Sequence, residues 1–342
     1  MHSLRILTKD QVDLLLQKSN DPNVSPEVEI INLMADTFAT FTNTPDLVQA
    51  PRRTTLQTPN HAVLYMPTRV DGMGTAMKVV GVPKNGKGGL PSTILVMDEA
   101  TGELRAVVNA AALTAIRTAA GCALATMHLA AHDASNMLIF GAGAQSMAHV
   151  DLIVAVRPTI KHVTVWNRSK ERLDSILCLL REKHQNITFT GIVGKDEALE
   201  DAVRDAQIIC TCTNSYEPVF NGKWVQPGTH INSVGSYRLD MQELDQATVA
   251  LPRKIVVDSR EACKIEAGEH VQAVNDGQRD PDTDWVEIGQ IVKQPELVAH
   301  VRQSDSDVTI FKSVGVGAQD VAIAELIVRR AEQGNIGQIV DA

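Results

Sequence analysis

The sequence contains no run of 18 consecutive apolar residues, so nothing in it reads as a membrane-spanning helix. The N-terminal stretch MHSLRILTKDQ has no apolar h-region, and no secretory leader is expected. Cysteine is sparse and odd in number: Cys122, Cys178, Cys210, Cys212 and Cys263, with no CxxC pair. A disulfide framework is therefore not expected in a chain of this size. No His or Cys partner stands at zinc-like spacing around Cys210-Thr-Cys212, so IICTCT reads as a strand carrying two buried thiols, with no metal. A basic excess is also missing. Lys plus Arg number 32 against 41 for Asp plus Glu, a net charge of −9, which argues against non-specific nucleic-acid binding. Small anionic ligands stay open, because a few local cations suffice for them. Repeats and low-complexity tracts are absent. A soluble protein in a reducing, cytoplasmic setting is expected.

What is there has the balance of an ordinary globular protein, 44% hydrophobic and 21% charged. At 342 residues the chain exceeds the size at which single cores stop growing, and two domains are expected. Thr8 and Gln11 form a capping-box signature at the start of a helix, TKDQVDLLLQ. Val28, Ile31, Met34, Ala35 and Phe38 repeat at helical spacing from Pro26 to Phe41. Short β-like runs follow (HAVLYMPTR, AMKVVGV, STILVMDEATGEL), the last with a hairpin signal at Asp98-Glu-Ala-Thr-Gly102. A long Ala-rich helix runs from Ala110 to Ala131. Beyond it strands alternate with helices: MLIF, VTVWN, ITFTGI, IICTCT, HINSVG and IVVDS. That alternation means a parallel sheet with crossover helices, placed at about Ala120 to Lys312. The helical tail from Val314 to Gly334 is too short to be a domain. It is expected to return to the N-terminal part and make an α+β domain of 1–119 plus 313–342 around an inserted domain of 120–312.

The inserted domain opens on MLIFGAGAQS. A four-residue apolar strand runs into Gly141-Ala142-Gly143-Ala144-Gln145-Ser146 and then a helix. Gly141 lets the chain turn sharply. Gly143 lets backbone N–H groups approach a pyrophosphate at a helix N-terminus, where the dipole favours anions. Ser146 takes the place of the third glycine of GxGxxG and is still small enough for close helix–strand packing. The alternative is a plain turn in a Rossmann-like domain. About where NAD-binding domains carry an acid for the ribose 2′-hydroxyl, this chain reads Asn167-Arg168-Ser169-Lys170. Arg168 and Lys170 can neutralise a 2′-phosphate, and Asn167 and Ser169 can hydrogen-bond it. NADPH is therefore preferred, with NADH the weaker possibility. The alternative is solvated charge at a helix start, although cations there oppose the macrodipole. Thr211, in IICTCT, completes the candidate cofactor-binding set.

Three basic residues stand out in the first part: Arg53, Lys78 and Arg117. Arg117 lies mid-helix, four residues after Leu113 and seven before Leu124, on one stripe. No Asp or Glu occurs in Ala110–Ala131, so a buried guanidinium there needs a distant carboxylate or a ligand anion. Lys78 has apolar neighbours Met77 and Val79; aimed inward, its pKa falls and it can act as acid or base, and aimed outward it is an edge-strand lysine.

These residues and their order resemble the ornithine cyclodeaminase / mu-crystallin family across nearly the whole chain. The resemblance is carried by Lys78 in AMKVVGV, GLPSTILVMDEATGEL, Arg117-Thr-Ala-Ala120, FGAGAQS, VWNRSKE, EPVFNGKWVQPGTHINSVGS, QELD and FKSVGVGAQD. VWNRSKE and PGTHINSVGS look closest to the mu-crystallin branch. The resemblance implies an α/β fold with a Rossmann-type dinucleotide-binding domain inserted in a discontinuous α+β substrate and dimerisation domain, and a homodimer. It implies that Arg53 and Arg117 clamp a substrate carboxylate, with Arg52 an alternative to Arg53. Lys78 would bind that carboxylate or assist proton transfer, and Asp320 matches a position lining the cleft near the nicotinamide, or is simply an N-terminal charge on the last helix.

The cyclodeaminase branch carries an aspartate for ring closure where this chain has Tyr237; Asp240 lies three residues later. With that acid missing, the expected activity is NADPH-dependent reduction of a cyclic ketimine bearing a carboxylate, of the Δ1-piperideine-2-carboxylate or Δ1-pyrroline-2-carboxylate type. The alternatives are an amino-acid cyclodeaminase or dehydrogenase of the same family, or a non-catalytic NADPH-binding protein.

Overall fold

The structure is a computed structural model that describes residues 3–84, 89–194 and 197–341. Met1 and His2 of the N-terminal stretch, and Ala342, lie outside the described residues. The chain forms two compact units: Met1–Arg117 with Val316–Ala342, and Thr118–Gly315.

The first unit is built on a mixed sheet. Its strands follow the order Gln338–Asp341, Ser3–Leu7, Leu104–Asn109, Ser92–Met97, Gly74–Pro83, His61–Val70 and Val48–Gln49, and Thr54–Gln57 also pairs with His61–Val70. Among the described residues only the pair Ser3–Leu7 with Leu104–Asn109 is parallel in this sheet. Strand alternation separates two faces. Ala76, Lys78 and Val80 of one strand are buried together with Ser92, Ile94 and Val96 of the next and Ala106 and Val108 beyond. Two helices, Pro26–Asn43 and Gly317–Gln333, pack on each other, and the second lies against the Gly74–Pro83 and His61–Val70 strands. The local signals act as their chemistry dictates. Thr8 and Gln11 form a reciprocal capping box, Ser25 caps the helix that begins at Pro26, and Asp98 accepts from the N–H groups of Ala100 and Thr101 in a tight hairpin.

The strands Ser3–Leu7, Thr54–Gln57 and Gln338–Asp341 are not evident in the sequence. They are at most five residues long and Leu7 alone among their residues is buried, so they carry little hydrophobic period.

The second unit is an eight-stranded sheet in the order Thr188–Ile192, His162–Trp166, Asn136–Phe140, Ile208–Thr211, His230–Ser233, Thr309–Lys312, Ile255–Val257 and Trp285–Glu287. Every pairing is parallel. The central strands are buried on both faces, which explains their continuous apolar runs. The chain leaves Asn136–Phe140 toward one edge, then returns to place Ile208–Thr211 on its other side. The order reverses between these two strands, and in such sheets ligands bind at the carboxyl ends beside the reversal. All five cysteines are free thiols; Cys210 is buried and Cys212 half-buried. Among the described residues no helix is long and apolar enough to cross a membrane.

Candidate functional site

In the second unit the turn after Asn136–Phe140 is shaped by close backbone approach. Gly141 has φ +111°, and a Cβ built there would stand 2.6 Å from the carbonyl oxygen of Cys212. Its N–H donates to the Trp166 carbonyl at 2.8 Å, and its own carbonyl accepts from the Ser146 hydroxyl at 2.9 Å. Ser146 therefore locks the turn in addition to fitting the tight helix–strand space. The helix that follows, Ala144–Val156, has Gly143 at its N-cap and no side-chain cap. A Cβ on Gly143 would meet nothing within 4 Å. First-turn N–H groups that lack a side-chain cap are donors of the kind that hold a phosphate.

The neighbouring strand ends beside this turn. Asn167 is buried and its amide donates to the Ser169 carbonyl at 2.8 Å; Ser169 caps the helix Lys170–Lys183. Arg168 is exposed. Lys170 is exposed and pairs with Asp174 at 2.7 Å, a surface contact worth only about 0.3–0.5 kcal/mol. Gly141–Gln145 and Asn167–Lys170 are thus brought to one end of the sheet. Thr211 differs: its side chain is fully buried and its hydroxyl donates to Glu243 at 2.8 Å. Tyr237 packs against the core of this unit, and Asp240 is exposed, paired with Arg238 at 3.0 Å.

In the first unit Lys78, Arg117 and Asp320 come together. They are 2%, 5% and 2% exposed, deep enough that each charge needs a partner. Lys78 Nζ lies 2.6 Å from Asp320 Oδ2, and Arg117 Nε donates to Asp320 Oδ1 at 3.2 Å. Of the two partners open to Arg117 from sequence, the distant carboxylate is Asp320, and it is shared. Gln319, fully buried, grips the same arginine twice. Its Oε1 accepts from Nη1 at 3.0 Å and its Nε2 donates to the Arg117 carbonyl at 3.0 Å. Arg53 is half-buried and its charge reaches Lys78, whereas Arg52 is exposed. Burial pushes the Lys78 ammonium down to about 8; Asp320 opposes this, and Arg117 and Arg53 add to it. Two buried cations, Lys78 and Arg117, thus share one carboxylate, Asp320. The surplus positive charge suits a ligand carboxylate, and a lysine titrating near neutrality suits proton transfer.

Two residues of these clusters escape sequence reading. Gln319 sits beside Asp320 in FKSVGVGAQD and Glu243 sits in QELD; each is in a quoted motif, but only the tertiary contacts give it a role.

A glycine turn opening an uncapped helix at the switch point of a doubly wound parallel sheet, with a second unit formed from both chain ends, defines a Rossmann-type fold of the dinucleotide-binding kind. A sequence model of the ornithine cyclodeaminase/mu-crystallin family matches residues 17–335, and the chain belongs to that family. A Δ1-pyrroline-2-carboxylate reductase of Bacillus cereus (strain ZK / E33L) is 34% identical over 298 residues, covering 85% of this chain and 89% of that one. The structure of Thermococcus litoralis Δ1-pyrroline-2-carboxylate reductase, in complex with NADH and L-proline, superposes with a TM-score of 0.86 at 28% identity, over 98% of this chain and 99% of that one. An archaeal alanine dehydrogenase dimer with bound NAD superposes with a TM-score of 0.83 at 26% identity, over 99% of both.

Proposed function

We propose that the protein is an NADPH-dependent reductase of cyclic ketimines that carry a carboxylate, of the Δ1-pyrroline-2-carboxylate or Δ1-piperideine-2-carboxylate type. The observation that carries this is the buried cluster in which two cations, Lys78 and Arg117, share the one carboxylate of Asp320. The similarity to Δ1-pyrroline-2-carboxylate reductases supports it. A dinucleotide held there would supply the hydride for the imine carbon. The chain's own residues do the rest. Arg117, held by Gln319 and Asp320, and Arg53 bind and orient the substrate carboxylate. Lys78 holds a proton at Nζ and delivers it to the imine nitrogen, so one C=N becomes CH–NH. Asp320 keeps the ammonium in place and limits the loss of its proton.

The first-turn N–H groups at Gly143–Gln145 would hold the pyrophosphate, and Arg168 and Lys170 the 2′-phosphate, favouring NADPH over NADH. We also propose a homodimer. The sheet face opposite Lys78 presents a row of half-buried apolar side chains across four strands, Met77, Leu95, Val107 and Ile6. Such a row suits a second copy of the chain.

The test is direct. Purified protein is incubated with NADPH or NADH and each cyclic ketimine, and then with ornithine and NAD⁺, while dinucleotide absorbance and amino-acid product are followed. Dinucleotide oxidation with proline or pipecolate formation is expected. Proline and ammonia from ornithine, or tight NADPH binding with no turnover of any imine, would replace this reading.

A further inference from the structure

Glu243 is a fully buried carboxylate in the second unit, distant in sequence from the glycine turn. Four donors converge on it. Oε2 accepts from the Thr211 hydroxyl at 2.8 Å and from Gly235 N–H at 2.6 Å. Oε1 accepts from both the N–H and the hydroxyl of Thr213, each at 2.6 Å. These are short, charge-assisted bonds, about twice as strong as neutral ones. The donors come from the last residue of the strand Ile208–Thr211 and from the segments that follow it and the adjacent parallel strand His230–Ser233. Those segments touch: a Cβ on Gly235 would stand 1.9 Å from the Thr213 carbonyl oxygen and 2.5 Å from Glu243 Oε1. The carboxylate thus clasps two loops at the carboxyl ends of strands four and five in chain order.

The clasp reaches the glycine turn through Cys212. That residue lies between the two threonines that Glu243 holds. Its carbonyl is the atom against which Gly141 packs, and its N–H donates to the Phe140 carbonyl at 2.9 Å. Moving Thr211–Thr213 therefore moves the wall on which the turn rests. Filling space alone needs no charge, and a buried carboxylate is retained at a desolvation cost that an apolar side chain avoids. Four donors aimed at one group explain the carboxylate. We propose that Glu243 is a positioning residue for the dinucleotide site: through Thr211–Thr213 and Gly235 it sets the phosphate-binding turn and the mouth of the switch-point crevice. The proposal rests on the reading of that turn as a dinucleotide site.

The test is fluorescence titration of NADPH and NADH into the intact protein and its Glu243→Gln and Thr213→Val variants, with melting curves recorded without cofactor. Glu243→Gln puts an N–H₂ where two donors already point. It is expected to weaken both dinucleotides about tenfold or more, and equally, because the 2′-phosphate contacts are untouched. Thr213→Val removes one hydroxyl donor and is expected to weaken both about threefold. In steady state the KM for the dinucleotide should rise while that for the imine holds, a split that general destabilisation does not produce. A cooperatively folded Glu243→Gln protein with unchanged affinity overturns the proposal. If that variant does not fold, unchanged affinity in Thr213→Val does so. Wild-type protein that binds neither dinucleotide removes the underlying reading instead.

Discussion

Two buried clusters, one in each unit, hold charge in opposite ways. In the second unit, the carboxylates of Glu243 and Asp258 are answered by neutral donors. Glu243 takes four donors, and Asp258 takes the N–H groups of Ser259, Val314 and Gly315 and the Ser313 hydroxyl. Most of those partners are backbone or hydroxyl, with no net charge of their own. In the first unit Lys78 and Arg117, both buried, share the single carboxylate of Asp320. A buried charge satisfied by backbone fixes architecture. A buried charge left in excess over its fixed partners marks a place where a ligand completes the count.

The hardest way to break that contrast is Lys78→Met. If the cation surplus is chemistry, kcat with a cyclic ketimine falls about 10²–10⁴-fold, the usual range for a lost general acid. Dinucleotide affinity, which belongs to the other unit, stays put. Steady-state kinetics beside a binding titration checks both. Retained turnover would make Lys78 an architectural charge like Glu243. Gly141→Ala probes the other side. A side chain at φ +111° and 2.6 Å from the Cys212 carbonyl strains the turn by about 1–3 kcal/mol. Dinucleotide affinity should drop about ten- to hundredfold. Unchanged dissociation constants for both dinucleotides would show that the turn is not their seat.

The contrast also explains what could be read in advance. The parallel sheet was legible because its strands are buried on both faces and write continuous apolar runs, and Gly141 because a φ of +111° beside the Cys212 carbonyl admits little else. Lys78 and Arg117 stood out as charges among apolar neighbours. Their grouping with Asp320 was another matter. Arg117 and Asp320 are 203 residues apart, and their pairing exists only once the last helix packs on the first sheet. Thr211 shows the limit from the other side: a threonine closing a central strand looks like a ligand contact, yet its hydroxyl belongs to Glu243. Glu243 offered no local signal, since one glutamate in QELD looks like any surface acid until its four donors are placed around it.

A pH series sharpens the comparison. Lys78, at about 8 in the folded protein against 10.5 for an ordinary lysine, must be protonated to give up a proton. kcat/KM should therefore be level below about pH 8 and fall about tenfold per pH unit above it. Stability moves the other way. Between about 8 and 10.5 the unfolded chain holds a proton on this lysine that the folded chain has lost, so unfolding free energy rises with pH through that window. The cost of burying the ammonium is fully present below about 8 and relieved above it. Lys78→Met should flatten both profiles, read by kinetics and by denaturant melts at matched ionic strength.

The smallest effect tests which dinucleotide the second unit takes. Arg168 and Lys170 are both exposed, unlike the buried cations of the first unit, so water and salt screen whatever they do. Lys170 also has Asp174 at 2.7 Å, a partner it must release or share to meet a 2′-phosphate. Arg168→Ala should therefore weaken NADPH about fivefold, close to 1 kcal/mol, and leave NADH unchanged. Lys170→Ala should cost less than that. Both differences should shrink as salt rises from tens to hundreds of millimolar, because an exposed cation facing a phosphate acts over about a Debye length. Equal affinities of the wild-type protein for NADH and NADPH at low salt would show these cations to be solvated charge at a helix start. The second unit would then bind dinucleotide through uncharged donors, as it already binds Glu243 and Asp258.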